Sequence, residues 1–474
     1  MNFNNKIVVL LFTIFILSIC ISSINANDID ESSNIISIDN SISIQNTINE
    51  ANDNDIILLN PGKYNEWGIN VNKNLTFIGN SSTNNVVVDG NQKNTMFFVK
   101  EETTVTFINI TFINGKTYDF GGAISSINAN VYVDNCIFIN NTAVYHNGGA
   151  IDTSGTSHGL THTPGYLFVN NSLFIGNYAG HDGGAITTLY GTSEIYNSVF
   201  INNYAIRDGG AIRGGIYTRT NIFNCTFIDN YAQEWGGAVY VWTSDGYIIN
   251  STFINNSAGF YGGAFAHSGR FTVKGSTIIN NTAGISGGAV FVTQMTSKIV
   301  SYTIFNDNII IDNSAPTGDV IYIDKTSARI FDFENNDWGE EDPDWNSLFN
   351  TSDFMKNPSN WIIKKDLINE DVDNNKEEIS QETDYIFDLN NNASSIFNNL
   401  LNNYSSMSAT GVLSKYSTNS SDYFSIDNSI DKNDENKDWL KVETVEKDAL
   451  NNNIKILIVI ALFIIILVVG YKKF

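Results

Sequence analysis

Short runs of alternating apolar and polar residues fill most of this chain, and they return in phase. Stretches such as Glu194–Ile201 and Tyr247–Ile254 are rich in Ile, Val, Tyr, Phe and Thr, which suit a pleated, half-buried surface. The spacing a helix needs is missing from them. Two phrases punctuate the runs. The first is Gly-Gly-Ala plus a hydrophobic residue, at Gly121-Gly122, Gly148-Gly149, Gly183-Gly184, Gly209-Gly210, Gly236-Gly237, Gly262-Gly263 and Gly287-Gly288. The second is Phe-Ile-x-Asn, at Phe138–Asn141, Phe174–Asn177, Phe200–Asn203, Phe227–Asn230 and Phe253–Asn256, with a weaker copy at Ile278–Asn281. Most copies recur about every 26 residues, a period typical of solenoids.

Such a repeat holds two or three strands with turns and cannot bury its own apolar face, so repeats must stack. The pattern predicts an all-β chain, a parallel β-helix with one coil per repeat and strands ~4.8 Å apart. The glycine pair supplies positive φ and close backbone approach at a corner. Two residues before each Phe or its equivalent stands a small residue: Cys136, Ser172, Ser198, Cys225, Ser251 and Ser276. Positions two apart on a strand share a face, so small residue and Phe both point inward. The turn asparagines Asn141, Asn177, Asn203, Asn230, Asn256 and Asn281 are expected to stack as an amide ladder.

The phrases GGA[ILVF] and FxxN resemble the polymorphic membrane protein repeats of chlamydial-type adhesins. The whole chain is similar to adhesin-like surface proteins of methanogenic archaea and to pectate-lyase-like β-helices. The resemblance covers roughly Asp55 to Trp345. It implies a right-handed parallel β-helix and a role in surface attachment. Bacterial members end in an outer-membrane barrel, whereas this chain ends in one apolar segment, which argues for a cell with a single membrane.

Lys6, the apolar run Ile7–Ile21 and the small residue of Asn25-Ala26 read as a secretion signal over 1–26. Residues 27–365 form the predicted β-helix, with the repeats at about 107–323. Ile44–Ala51 has the spacing of a short amphipathic helix, placed to cap the open end of the solenoid. Ile69–Gly79 and Val86–Gly90 read as opening coils without the glycine phrase. Asp152–Gly165 reads as a loop leaving the coil. Ile309–Ile323 is a degenerate coil, Asn335–Trp345 breaks the pattern and closes the core, and Trp361–Lys365 is a final strand. Asp366–Asn453 is rich in Asn, Asp, Glu and Ser and reads as an acidic disordered stalk. Ile454–Tyr471 is long and apolar enough for one bilayer span. Lys472 and Lys473 then place 472–474 in the cytoplasm and the β-helix outside.

The formal net charge is −24, which argues against nucleic acid as a partner and suits an extracellular protein. Cys20 lies inside the signal. Cys136 and Cys225 are three coils apart, about 14 Å, too far for a disulfide, so both are expected as buried free thiols. Of the Asn-x-Ser/Thr glycosylation acceptors, Asn392, Asn403 and Asn419 in the stalk are the most accessible. The chain carries no cofactor motif.

Chemistry can sit where neighbouring repeats differ. The residue before each Gly-Gly reads Phe120, Asn147, Asp182, Asp208, Trp235, Tyr261, Ser286. One position earlier it reads Asp119, His146, His181, Arg207, Glu234, Phe260, Ile285. In a solenoid such positions align into an exposed stripe, where these folds bind. His146, His181, Asp182, Arg207, Asp208, Glu234, Trp235 and Tyr261 are therefore the candidate ligand-binding residues. Polar groups beside Trp235 and Tyr261 would suit a sugar. The expected partners are the membrane and a glycan or surface protein of another cell. His146, His181, His158 and His162 with Asp182 and Asp208 form a weaker candidate for a transition metal. Asp182 and Asp208, one coil apart, offer the carboxyl spacing of a retaining glycoside hydrolase, but any stacked acids would. The reading is a membrane-anchored adhesin-like protein, with a carbohydrate-active enzyme (polysaccharide lyase or glycoside hydrolase) as the alternative.

Overall fold

The structure, a computed structural model, describes residues 33–350 except 82–84, 159–160, 294–300, 324–328, 334 and 340–344. The expected signal, stalk, membrane span, tail and Trp361–Lys365 strand lie outside the described residues. The chain divides into two units, 1–332 with 336–357 and 333–335 with 358–474. The first carries the solenoid. Among the described residues no helix is long and apolar enough to cross a membrane.

The predicted coil is present, with up to four strands per turn. Strands after the glycine corner stack in register, Ile124 on Ile151 on Ile186 on Ile212 on Val239 on Phe265 on Val290 on Ile321. A second stack includes Asn130–Asp134, Gly165–Asn170, Gly191–Tyr196 and Arg219–Phe223. Val239–Ile249 and Phe265–Lys274 run through both stacks. A third holds ten strands from Gly62–Asn65 to Ile309–Ile311, including every Phe-Ile-x-Asn copy. Two-residue strands from Lys116–Thr117 to Thr282–Ala283 make the fourth. Among the described residues every strand pair is parallel except one hairpin, Thr156–His158 with Thr161–Thr163.

The two glycines of each corner do different work. Gly183 has φ +65°, which costs a residue with a Cβ. Gly184 has no room for a Cβ, which would fall 2.0 Å from the Gly210 carbonyl oxygen. Inside, Phe112, Phe138, Phe174, Phe200, Phe227 and Phe253 are buried and stack at 4.7–4.9 Å between centroids. The asparagine ladder is complete and fully buried. Asn177 Nδ2 donates to Asn203 Oδ1 at 2.9 Å and to the Phe138 carbonyl at 3.1 Å, and its backbone N–H donates to the same Oδ1. The pattern runs from Asn141 to Asn313. At the small-residue position, Ser172, Ser198, Ser251 and Ser276 each accept through Oγ the N–H of the coil before. Cys136 and Cys225 are buried and unlinked, and burial pushes both thiols up to about 12.

The cap is Ile44–Glu50, with Ser43 at its N-cap and Ile44 and Ile48 buried. Gln45 continues the ladder beyond the edge of Ile69–Val71: its side chain accepts the Asn70 N–H and donates to the Asn70 carbonyl. An exposed sheet edge is thereby paired. Lys73 holds the carbonyls of Ile48, Asn49 and Ala51 at the other end of the helix.

One strand was not anticipated, and two expectations need correction. A strand, Ile35–Ile38, precedes the cap and pairs with Ile56–Leu59; four residues were too few to show a period. The insertion does not leave the coil at Asp152, because Ile151–Ser154 remains a strand with Asp152 buried; the hairpin begins after Gly155. Nor is the pattern broken at Asn336 and Asp337, within the described part of Asn335–Trp345. Asn308 Nδ2 donates to Asn336 Oδ1 at 2.9 Å, Asp337 bridges to Ile309, and Phe349–Asn350 pairs with Ile321–Tyr322. Trp338 stays partly exposed.

Candidate functional site

The variable positions before Gly-Gly do align coil upon coil. The Arg207 N–H donates to the His181 carbonyl, Glu234 to Arg207, Phe260 to Glu234 and Ile285 to Phe260, all at 2.8–3.1 Å. These residues form a straight row along the axis at one corner. The side chains of this row face outward, from half-buried His181, Arg207 and Glu234 to exposed His146, Phe260 and Ile285.

The neighbouring row, expected to be exposed, is not. Asn147, Asp182, Asp208 and Ser286 are buried, while Trp235 and Tyr261 are half-buried. Positive φ at the first glycine folds this position back over the next strand. There Thr187 Oγ1 donates to the Asp182 carbonyl, the Trp235 ring lies 5.8 Å from Tyr240, and Tyr261 packs on the cluster of Tyr240, Ala266 and Phe291; these residues, with Asp152 and Arg213, follow the aligned hydrophobic one. This second column was missed from the sequence. It carries a signal all the same, because it changes chemical class from repeat to repeat while the residue before it stays hydrophobic.

The two columns enclose a charge network. Arg207 donates from Nη2 to Asp182 Oδ2 at 3.0 Å and from Nε to Asp208 Oδ2 at 3.2 Å. Its Nη1 lies 2.9 Å from His181 Nε2. A guanidinium only donates, so Nε2 accepts and the proton of a neutral ring sits on Nδ1, 3.0 Å from Asn147 Oδ1. Arg213 is buried, with Nε 3.1 Å from Asp182 Oδ2. That Nε–H is not aimed to form a hydrogen bond. The Arg213 guanidinium lies over the rings of Tyr240 at 5.8 Å and Trp242 at 5.5 Å.

The carboxylates respond in opposite directions. Burial by itself would raise the Asp182 pKa, but the His181 hydrogen bond and then Arg213 and Arg207 outweigh it, and the net shift is down. Burial, followed by the charge of Asp182, pushes Asp208 up to about 7 despite Arg207. Burial likewise pushes Asp152 up to about 7, against the Ser154 hydrogen bond and Arg213.

Toward the C-terminal side the charges give way to rings. Trp235 and Tyr261 lie 4.9 Å apart, and both contact Phe291. At the other end, His146 stands apart from the network, 4.6 Å from the Phe120 ring, beside the exposed pair Tyr118 and Tyr145.

His181, Asp182, Arg207 and Asp208 are thus brought together, Trp235 and Tyr261 form a second group, and Glu234 stands between them. Both His181 nitrogens are engaged, and among the described residues no group of three or more His, Cys, Asp or Glu is placed to hold a metal ion. The side chains of His158 and His162 lie outside the described part. The paired-carboxylate reading meets a steric obstacle: Asp182 Oδ1 and Asp208 Oδ1 are buried, and Arg207 occupies the space between the two acids.

The Chlamydia polymorphic membrane protein repeat matches this chain at residues 135–154 and 224–241. No curated protein matches. Among solved structures, the chain is similar to the Agl-KA catalytic domain at 12% identity and a TM-score of 0.36, over 60% of this chain and 59% of that one. It is similar to the PL6 family alginate lyase AlyGC at 11% identity and a TM-score of 0.29, over 65% of this chain and 40% of that one. For the pectin methylesterase of Aspergillus niger the values are 11% and 0.24, over 67% and 89%. At these scores the structural likenesses carry no argument. What stands is a chain of parallel β-helix coils, two stretches of which match the polymorphic membrane protein repeat.

Proposed function

We propose that this is a surface-attached, adhesin-like protein whose β-helix binds extracellular glycans or cell-envelope partners. In this reading residues 454–471 anchor the chain in the membrane, 366–453 hold the rod away from it, and the β-helix lies outside. The observation that carries the reading is the corner row itself. Half-exposed rings and internally paired charges line up along the axis, on a scaffold whose remaining stacked positions have packing or hydrogen-bonding reasons. The match to a membrane-protein repeat supports surface display. The test is adhesion of cells displaying the full-length chain to other cells and to immobilised glycans. Equal adhesion with and without the chain would sink the reading.

One observation favours a carbohydrate-active enzyme as the second reading. Asp182 and Asp208 have pKa values pushed apart, the pattern of an acid–base pair. Turnover of a polysaccharide, read as new reducing ends or unsaturated uronides and abolished in Asp182→Asn and Asp208→Asn, would support it. Binding without turnover supports the adhesin.

A further inference from the structure

We propose that the corner row binds a linear, uncharged oligosaccharide laid along the solenoid axis. This rests on the glycan-binding reading above and adds the ligand's charge and shape.

The shape follows from the register. Backbone hydrogen bonds hold His181, Arg207, Glu234, Phe260 and Ile285 in one straight row. Exposed aromatic surface stands at two places along this side of the coil, one before the row begins and one at Phe260. Tyr118 and Tyr145, each 65% exposed, present neighbouring rings 5.6 Å apart. Phe260, 42% exposed, and Tyr261 do so five coils beyond Tyr118. At ~4.8 Å per coil the two places are about 24 Å apart. A globular or branched ligand would meet one of them only. An extended chain of sugar rings would stack on both and run across the polar middle.

The charge follows from the pairing of the middle. Each nitrogen of the Arg207 guanidinium is engaged once, with Asp208, His181 and Asp182, and two of those partners are carboxylates that offset its charge. Arg213 is buried beside Asp182. Arg213 is out of reach of a ligand, and the charge of Arg207 is already balanced by the two carboxylates it bonds. The acids they neutralise, Asp182 and Asp208, are buried and cannot recruit an amine. Asp119 and Glu234 remain at the surface, four coils and about 19 Å apart. Single carboxylates so spaced can accept hydroxyl hydrogen bonds without forming a cationic pocket. A net charge of −24 repels a polyanion at long range.

The test is titration calorimetry of the full-length chain with four oligomer series: cello-oligosaccharides and N-acetylglucosamine oligomers (neutral), alginate oligomers (anionic) and glucosamine oligomers (cationic). Hexamers of a neutral series are expected to bind about tenfold more tightly than dimers, with little response to salt. The surface double variant Tyr118→Ala/Tyr145→Ala is expected to abolish that length advantage. Preference for a charged series, equal affinity for dimer and hexamer, or an unchanged length advantage in the double variant overturns the inference while leaving glycan binding in place. Failure of every series to bind removes the glycan reading as well.

Discussion

Arg207 donates to Asp182 at 3.0 Å across the gap between two coils. The bond fastens a charged side chain of one repeat to a buried carboxylate of the repeat before. Arg207→Ala would leave Asp182 and Asp208 buried with less compensation. Breaking a fully buried pair costs about 3–5 kcal/mol. Arg207 keeps about a third of its side chain in solvent, so about 2 kcal/mol is expected. In a double-mutant cycle by thermal denaturation, Arg207→Ala and Asp182→Asn should couple by at least ~1 kcal/mol. Strict additivity would show that the bridge contributes nothing.

Stability should depend on pH in a direction opposite to that of an ordinary acidic protein. Asp152 and Asp208 have folded pKa values raised from 3.8 to about 7. Between those values the folded state holds more protons than the unfolded state, so their contribution is full below about 3.8 and is lost as pH rises through 7. Each is worth on the order of a few kcal/mol. Asp182, with a lowered folded pKa, acts the other way, losing its contribution as pH falls below its unfolded value. The first two should dominate from pH 4 to 7. Denaturant midpoints across that range should fall for the parent chain and flatten in Asp152→Asn. A rising midpoint in the parent would contradict the burial of these acids.

Much of this architecture was legible because a repeated sequence reports its own register. Seven glycine pairs and six turn asparagines, most of them at one period, leave few ways to arrange the chain, and Gly183 and Asn203 stand where that argument requires. The site was less legible. Asp182 and Asp208 follow from the period, but their burial does not, because the period gives a residue's position around the coil and not whether the next strand covers it. Arg213 and Asp152 lie outside the glycine phrase, one residue past its hydrophobic position, and only the covering of that position by the corner brings them to the site. The many positive-φ asparagines, including Asn135, Asn197, Asn224 and Asn250, are a third case. They sit just before the small residue of each coil, so part of this chain's asparagine content has a backbone reason.

Asn203 is the most demanding position in the ladder. Its Oδ1 accepts from the N–H and Nδ2 of Asn177, and its Nδ2 donates to the Phe174 carbonyl and to Asn230 Oδ1. Asn203→Ala removes a partner from four buried groups; Asn177 Nδ2 keeps the Phe138 carbonyl and Asn230 Oδ1 keeps the Asn203 N–H, so the Asn177 N–H and the Phe174 carbonyl carry the largest cost, about 1–3 kcal/mol for each not rescued by relaxation. A loss of at least ~3 kcal/mol is expected in equilibrium unfolding. Asn203→Asp should be worse, since a carboxylate cannot donate to either acceptor. A loss below 1 kcal/mol for alanine would mean that the ladder is not what holds the turns in phase.

Thr153 offers the opposite test. It is fully buried between Ser126 and Thr188 in the same stack, and the hydroxyl oxygens of all three have no hydrogen-bond partner. A buried hydroxyl without a partner costs about 1–3 kcal/mol. Valine has nearly the same shape and no polar atom. Thr153→Val should therefore leave stability unchanged or raise it by about 1 kcal/mol, whereas most core substitutions destabilise. Thermal and denaturant unfolding of the full chain would measure the difference. A loss above 1 kcal/mol would show that the hydroxyl is bonded in solution, and that the interior beside the glycine corner is wetter than a packed core.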